Sequence, residues 1–279
     1  MSAATNRRQA GADKATVLYV YGFASADRID APDGWRTADG IPVRVSDCAG
    51  VAAIWSPLPA AALQVAGADG VPCDPRALAA LVMRHEEALQ RAMRSGPVFP
   101  VPFGLAFSAE PALLLYTEER SGVILSFLAE ADGKHEWAVT GTLDREAARA
   151  ALADRLLLEE GDVDALPPGV RYLAVRRSTL RATQEMGPRL EEACFAIGQR
   201  LAGHASAVRR REVFQTGEEP AGVEVILNWA FLVDAAHLHD FQCEVAAVTA
   251  EATTTGIRLR PAGPLAPYSF TPALEGDAG

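Results

Sequence analysis

Apolar runs alternate along the chain with polar, turn-forming stretches, and the period within each run separates strand from helix. The β-rich run Val17-Leu18-Tyr19-Val20-Tyr21 predicts a first strand over Thr16–Phe23, ended by Gly22. A turn-rich stretch, 24–40, follows. Val43–Ser46 and Val51–Trp55 predict a hairpin around Asp47-Cys48-Ala49-Gly50, and the Ala-rich segment 57–70 predicts a short helix or a mobile lobe. Asp74-Pro75 then opens a helix, because aspartate accepts backbone N–H bonds at the N-cap and proline forfeits nothing at the first helical position. Leu78, Leu81, Val82, His85, Leu89, Ala92 and Met93 fall on one face of that helix, and Ser95-Gly96-Pro97 stops it. Val98–Phe103 carries Pro100 and Pro102, which cannot donate to a ladder, so it predicts an edge or irregular strand. Glu110–Glu130 reads as a second helix.

The second half is more regular. Strand Glu136–Leu143 leads through Asp144, as N-cap, into a helix over Arg145–Glu160. A Pro/Gly loop at Leu166–Gly169 precedes a helical stretch over Ser178–Gly203, kinked or interrupted at Gly187-Pro188. Leu190, Cys194, Ile197 and Leu201 form its apolar stripe. Val223–Val233 alternates cleanly, with Ser206–Phe214 as its hairpin partner. Asp234 caps a helix to about Glu251, and Gly256–Arg260 is a last strand.

This order predicts an α+β protein of two domains, the default for 279 residues at about 150 residues per domain. The expected divisions are a flexible leader over 1–14, an N-terminal domain over 15–131, a C-terminal domain over 135–262 and a tail over 263–279. The C-terminal domain reads as ferredoxin-like, βαββαβ with a helical insertion after its first helix. The N-terminal domain reads as a modified, less regular α+β sandwich.

Composition narrows the function classes. Hydrophobic residues make up 49% and charged residues 22%, as in an ordinary globular protein. A net charge of −10 argues against nucleic acid or an anionic membrane surface as partner, because both are negative. The run Arg209-Arg210-Arg211 is the densest basic spot and reads as solvated. The N-terminus lacks the apolar core of a signal peptide, and no stretch approaches the roughly 18 apolar residues of a membrane span, so a cytoplasmic protein is expected. Cys48, Cys73, Cys194 and Cys243 show no paired spacing; they read as reduced thiols, at least two of them core fillers.

Few residues invite chemistry. No phosphate-binding glycine loop, nucleophile elbow or zinc-protease motif occurs. His85, alone on an apolar helix face, reads as a buried histidine packed like an aromatic; the competing reading is an axial haem ligand. His237 and His239, at i and i+2, diverge by about 200° around a helix and cannot chelate one metal there. The carboxylate pairs Glu86-Glu87, Glu118-Glu119 and Glu159-Glu160 read as solvated faces. No catalytic, metal or cofactor residues are therefore assigned, and no cofactor is expected. The C-terminal run Gly263-Pro264-Leu265-Ala266-Pro267-Tyr268-Ser269-Phe270, stiffened by proline and carrying two aromatics, is a tail that must dock on its own domain or on a partner.

These landmarks resemble a known family. His85-Glu86-Glu87-Ala88-Leu89-Gln90-Arg91-Ala92-Met93 followed by Val98-Phe99-Pro100-Val101-Pro102-Phe103-Gly104 is similar to the helix and V-x-P-x-x-F-G block of the GvpF/GvpL gas vesicle proteins. Leu18-Tyr19-Val20-Tyr21-Gly22 resembles that family's first strand. Glu136-Trp137-Ala138-Val139 with Gly141 resembles the strand opening its second domain, and the terminal run resembles its G-P-x-x-P-Y-x-F ending. The resemblance covers residues 18 to 270. It implies a non-enzymatic accessory or minor component of gas vesicles that binds the small, very hydrophobic shell protein and assists assembly or nucleation, in company with other accessory proteins. Phe103, Gly104, Pro267, Tyr268 and Phe270 are the candidate partner contacts. Two other functions compete: a scaffold joining other assembly factors, and a ferredoxin-like haem binder using His85.

Overall fold

A computed structural model describes residues 15–63, 74–162, 165–213, 220–253 and 255–274. The expected leader, the second half of the Ala-rich lobe (64–70), Cys73 and residues 214–219 of the expected hairpin lie outside the described residues. The chain divides into two compact units. One holds the described residues up to His135 together with those from Leu265 onward; the other is Glu136–Pro264. Both are α+β, with one sheet each.

In the first unit the strands are β1 (Thr16–Ser25), β2 (Arg44–Cys48), β3 (Val51–Pro59), β4 (Val98–Pro100) and β5 (Ala106–Phe107). The sheet order is β2-β3-β1-β4, and β5 also pairs with β1. Helices α1 (Pro75–Ala92) and α2 (Glu110–Glu130) pack on the sheet. Tyr19, Tyr21 and Ala24 share a core cluster with Leu81, Ala88, Leu89 and Ala92 of α1. Val20 and Phe23 share another with Leu113, Ile124, Phe127 and Leu128 of α2. Burial against two separate helix cores explains why β1 is a continuous apolar run rather than an alternating one.

Gly22 does not end this strand; β1 continues to Ser25. The ladder with β3 jumps from Val20↔Trp55 to Gly22↔Ile54, leaving Tyr21 as the extra residue of a β-bulge. A Cβ on Gly22 would lie 2.7 Å from the Phe99 carbonyl oxygen and 2.9 Å from a Leu89 methyl. Glycine stands here because α1 and β4 both press against the strand. On α1, Asp74 accepts from the Arg76 N–H at 3.0 Å as its sequence position predicts, whereas Val82 faces solvent rather than the core. β4 is the edge strand, in keeping with Pro100, which cannot donate to a ladder.

The second unit runs β6 (Lys134–Asp144), α3 (Arg145–Glu159), α4 (Pro168–Ala202), β7 (Ala207–Arg210), β8 (Val223–Asp234), α5 (Leu238–Thr253) and β9 (Ile257–Leu265). Its sheet order is β7-β8-β6-β9. Asp144 accepts from the Ala147 N–H at 3.0 Å, and Asp234 from Ala236 at 2.8 Å, so both expected caps form. Leu227, Trp229, Phe231 and Val233 of β8 face the main core with Ile197 and Leu201 of α4.

Two expectations for this unit need correction. α4 begins ten residues early, inside the expected Pro/Gly loop, and runs unbroken for 35 residues through Pro188. The basic run is not simply solvated: Arg211 pairs with the fully buried carboxylate of Glu136, and Arg210 lies 4.5 Å from the centre of the Trp229 ring. Of its two cysteines, Cys194 is half-buried against the core as a filler would be, while Cys243 is exposed; Cys48 of the first unit is half-buried.

At Gly198 a Cβ would fall about 2.0 Å from Trp229 ring carbons, so α4 can cross the sheet here only with hydrogen at this position. Alanine in a helix interior normally gains up to about 1 kcal/mol over glycine. Here the sign should reverse: Gly198→Ala should lose about 1–3 kcal/mol by forcing Trp229 from its place, measured by chemical denaturation.

Candidate functional site

The residues of β1 that face α1 converge on His85. Leu81, His85, Ala88, Leu89 and Ala92 recur at helical spacing on the buried side of α1, which puts one polar ring among aliphatic ones. His85 is only 3% exposed. Its Nδ1 lies 2.6 Å from the Tyr19 hydroxyl. The Gly104 backbone also acts on that oxygen, and the imidazole, neutral through burial, leaves its Nε2 buried with no hydrogen-bond partner among the described residues. Tyr21 donates to Ser56 Oγ at 2.8 Å, and Ser56 donates onward to the Pro42 carbonyl at 2.8 Å.

Four aromatic rings surround the imidazole. Its centre is 5.6 Å from that of Tyr19, 5.5 Å from Tyr21, 5.8 Å from Phe103 and 6.2 Å from Tyr268. Tyr19 and Tyr21 meet edge to face at 5.2 Å, the arrangement their quadrupoles favour. Burial sets the electrostatics. It lowers the His85 pKa from an ordinary 6.5 to about 4, pushes Tyr21 up to about 12, and drives Tyr19 higher still. Every group of the nest is therefore uncharged near neutral pH. Beside it Arg84 clamps Asp39 through Nε and a second guanidinium nitrogen and holds that carboxyl below its usual range.

The nest opens to solvent through two rings, Phe103 at 38% and Tyr268 at 39% exposure. Val82, one turn before His85 on α1, is exposed as well. This is an apolar surface on a rigid base, without a charged acid or base among the nest residues. Axial ligation of haem would need an open face on the imidazole. Here Nδ1 is bonded to Tyr19, and Nε2, the nitrogen left over, is enclosed with the rest of a ring only 3% exposed, so an iron could reach it only if the rings packed around it moved. His237, in the single turn just before α5, and His239, in its first turn, are both exposed. Among the described residues no group of three or more His, Cys, Asp or Glu side chains could hold a metal.

A family model described as Gas vesicle synthesis protein GvpL/GvpF matches residues 17–272. The chain belongs to this family. Gas vesicle protein F of Streptomyces sp. (strain CB03234) is 27% identical over 258 residues, spanning 90% of this chain and 98% of that protein. The fold is similar to the crystal structure of GvpF from Anabaena sp. PCC7120, with TM-score 0.64, 19% identity, and 93% and 99% of the two chains covered. It is also similar to GvpF from Microcystis aeruginosa, with TM-score 0.60, 19% identity, and 92% and 99% covered. The protein is thus a gas vesicle accessory protein. No helix among its described residues is long and apolar enough to cross a membrane.

The sequence landmarks of this GvpL/GvpF chain come together unevenly. Phe103, Gly104 and Tyr268 meet at the nest, although 164 residues separate Gly104 from Tyr268 in sequence. Gly104 has φ +105, a conformation side chains rarely adopt, and this turn aims its N–H at Tyr19. Pro267 is buried, and its carbonyl closes a turn by accepting from the Phe270 and Thr271 N–H groups, each at 3.1 Å. Phe270 is half-buried and packs into the α2-side core with Leu18, Phe107 and Tyr116. Sequence reasoning took Tyr19 and Tyr21 only as strand formers. Their shared parity with an isolated histidine on the next amphipathic helix was the available signal.

Because His85 is neutral when folded and titrates near 6.5 when unfolded, only the unfolded chain takes up the proton between those values. Its stabilising contribution is complete above about pH 6.5 and is lost progressively toward pH 4. Between pH 7 and pH 5 the wild-type protein should lose about 2 kcal/mol more than His85→Gln, followed by urea denaturation at each pH.

Proposed function

We propose that this protein is an assembly factor that holds the small, apolar gas vesicle shell protein, keeps it soluble and hands it to the growing vesicle. The observation that carries this reading is the pair of half-exposed rings, Phe103 and Tyr268, fixed over a buried aromatic nest. Rigid aromatics lose little rotamer freedom on contact and bury much area, which makes them efficient anchors for an apolar client. The adjoining edge strand β4 offers backbone groups, while Pro100 and the following Pro102 limit indiscriminate strand pairing. A net charge of −10 keeps such a binder soluble while its client is loaded.

In this reading Phe103 and Tyr268 make the contact. Gly104 and Pro267 shape the two loops that present them, and Phe270 anchors the tail. Binding is the activity, without catalysis and in the cytoplasm where vesicles are built. The second unit is read as a ferredoxin-like sandwich carrying α4 as its insertion. Its strand order, second-third-first-fourth in chain sequence, supports that reading.

Co-expression with tagged shell protein, followed by pull-down and a count of soluble shell protein, tests the proposal. The wild-type chain should retain shell protein and raise its soluble fraction. Phe103→Ser/Tyr268→Ser should reduce retention by roughly tenfold or more while the melting curve of the chain stays cooperative. Equal retention by the double variant would remove the nest as the contact, and no retention by the wild type would remove client holding altogether.

A further inference from the structure

The first half of α4 has two apolar faces and uses only one of them. Ala174, Ser178, Ala182 and Met186, four residues apart, are buried. Ala182 and Met186 share the main core with Leu152 and Leu156 of α3, and Arg177 of α4 reaches Glu160 just beyond the end of α3. The two helices therefore run antiparallel, with one side of α4 occupied. At about 100° per residue, Leu173 and Leu180 point away from that side, and Val170 continues their line one turn earlier. Leu173 and Leu180 are each 57% exposed, and Tyr172 beside them is 65% exposed. Val170, Leu173, Arg177, Leu180 and Gln184 follow the alternating three-and-four spacing by which two helices meet along a seam.

Charge selects the occupant. Residues 168–184 hold Arg171, Arg176, Arg177 and Arg181 and no Asp or Glu, in a chain whose net charge is −10. Arg171, Arg177 and Arg181 each have a partner, but the pairs Arg177 to Glu160 at 3.7 Å and Arg181 to Glu185 at 3.3 Å are exposed, and exposed pairs of this kind are worth little and exchange readily for a better-placed carboxylate. A second copy of this chain would bring the same four arginines to the seam. An anionic membrane would attract the arginines and repel the rest of the chain, which carries −14 once those four positive charges are set aside from −10.

We infer that the outer face of α4 between residues 168 and 184 is a docking site for an acidic amphipathic helix of a partner protein. Its leucines would lie along Val170, Leu173 and Leu180, and its carboxylates would meet Arg176 and Arg177. The site is about 25 Å long, so it fits a partner helix of four to five turns. This interface is independent of the nest in the first unit, and it stands whether or not that unit holds shell protein.

Fluorescence anisotropy with the full chain tests it. The probe is a labelled, side-chain-stapled peptide of about three heptads, with leucine at the seam positions and glutamate elsewhere. It should bind, and both Leu173→Ser/Leu180→Ser and Arg176→Glu/Arg177→Glu should weaken it by roughly tenfold or more, with the second effect shrinking in high salt. All four positions are exposed, so the melting curves of both variants should match the wild type. The inference is overturned if the peptide does not bind, if its lysine counterpart binds equally well, or if neither double variant matters. It is also overturned if phosphatidylserine vesicles bind the chain through these residues in preference to the peptide. Concentration-dependent dimerisation abolished by Leu173→Ser/Leu180→Ser would assign the face to self-association instead.

Discussion

The first unit depends on burying β1 on both faces at once. A strand between two helix cores cannot offer one polar side, so nearly every side chain from Tyr19 to Ala24 is committed to packing. The bulge at Tyr21 sets which residues face α1 and which face α2. Gly22 lets α1 and β4 close on the backbone itself, a contact any side chain would block because its Cβ would stand only 2.7 Å from the Phe99 carbonyl oxygen and 2.9 Å from a Leu89 methyl. Two tyrosines thus arrive on the α1 side, where an apolar surface alone would leave their hydroxyls unsatisfied. His85 and Ser56 answer that need, which makes the hydrogen-bonded nest a consequence of the strand rather than an ornament on it.

The same burial makes the nest chemically quiet. Desolvation raises both tyrosines and lowers the histidine, so each shift moves its group away from charge at neutral pH. A general base needs a pKa near the working pH, and an activated nucleophile needs a neighbour to take its proton. These shifts move the groups away from those conditions. What remains is a platform whose two outermost rings are held from below by edge-to-face and tilted ring contacts and from behind by the loop turns at Gly104 and Pro267. Anchored rings and apolar area are the properties a binding surface needs, which fits a gas vesicle accessory protein.

Much of this was legible in the chain, and the failures share a cause. Caps at Asp74, Asp144 and Asp234 are local events, decided by one side chain and the next two or three N–H groups, and the sequence displays them directly. Phe103, Gly104 and Tyr268 could be singled out by residue type, but not seen to meet, because their meeting is a tertiary fact. Gly22 was misread because a glycine closing an apolar run looks like a turn. Its role is a close approach from α1 and β4, which no local window contains. Val82 was misread for the opposite reason: its spacing suits a wide apolar face, yet the buried stripe centres on Leu81, His85, Ala88, Leu89 and Ala92 and leaves Val82 at its edge in solvent.

The misreading of α4 is the most instructive. Pro188 removes one backbone bond and crowds the turn before it, which in isolation argues for a break. The helix survives because its two halves are held by different partners. Before the proline, Ala182 and Met186 pack on α3; after it, Gly198 lets the helix lie on Trp229, while Arg200 binds Glu244 and Glu251 of α5. The proline itself is exposed, so the carbonyl it orphans can turn to water. Tertiary contacts on both sides therefore outweigh a local cost of about 3 kcal/mol. The first half, anchored on only one side, is left with a second apolar face outward. A helix this long, secured at its far end by the sheet, can present that face as a rigid rod, with arginine the only charged residue type between positions 168 and 184.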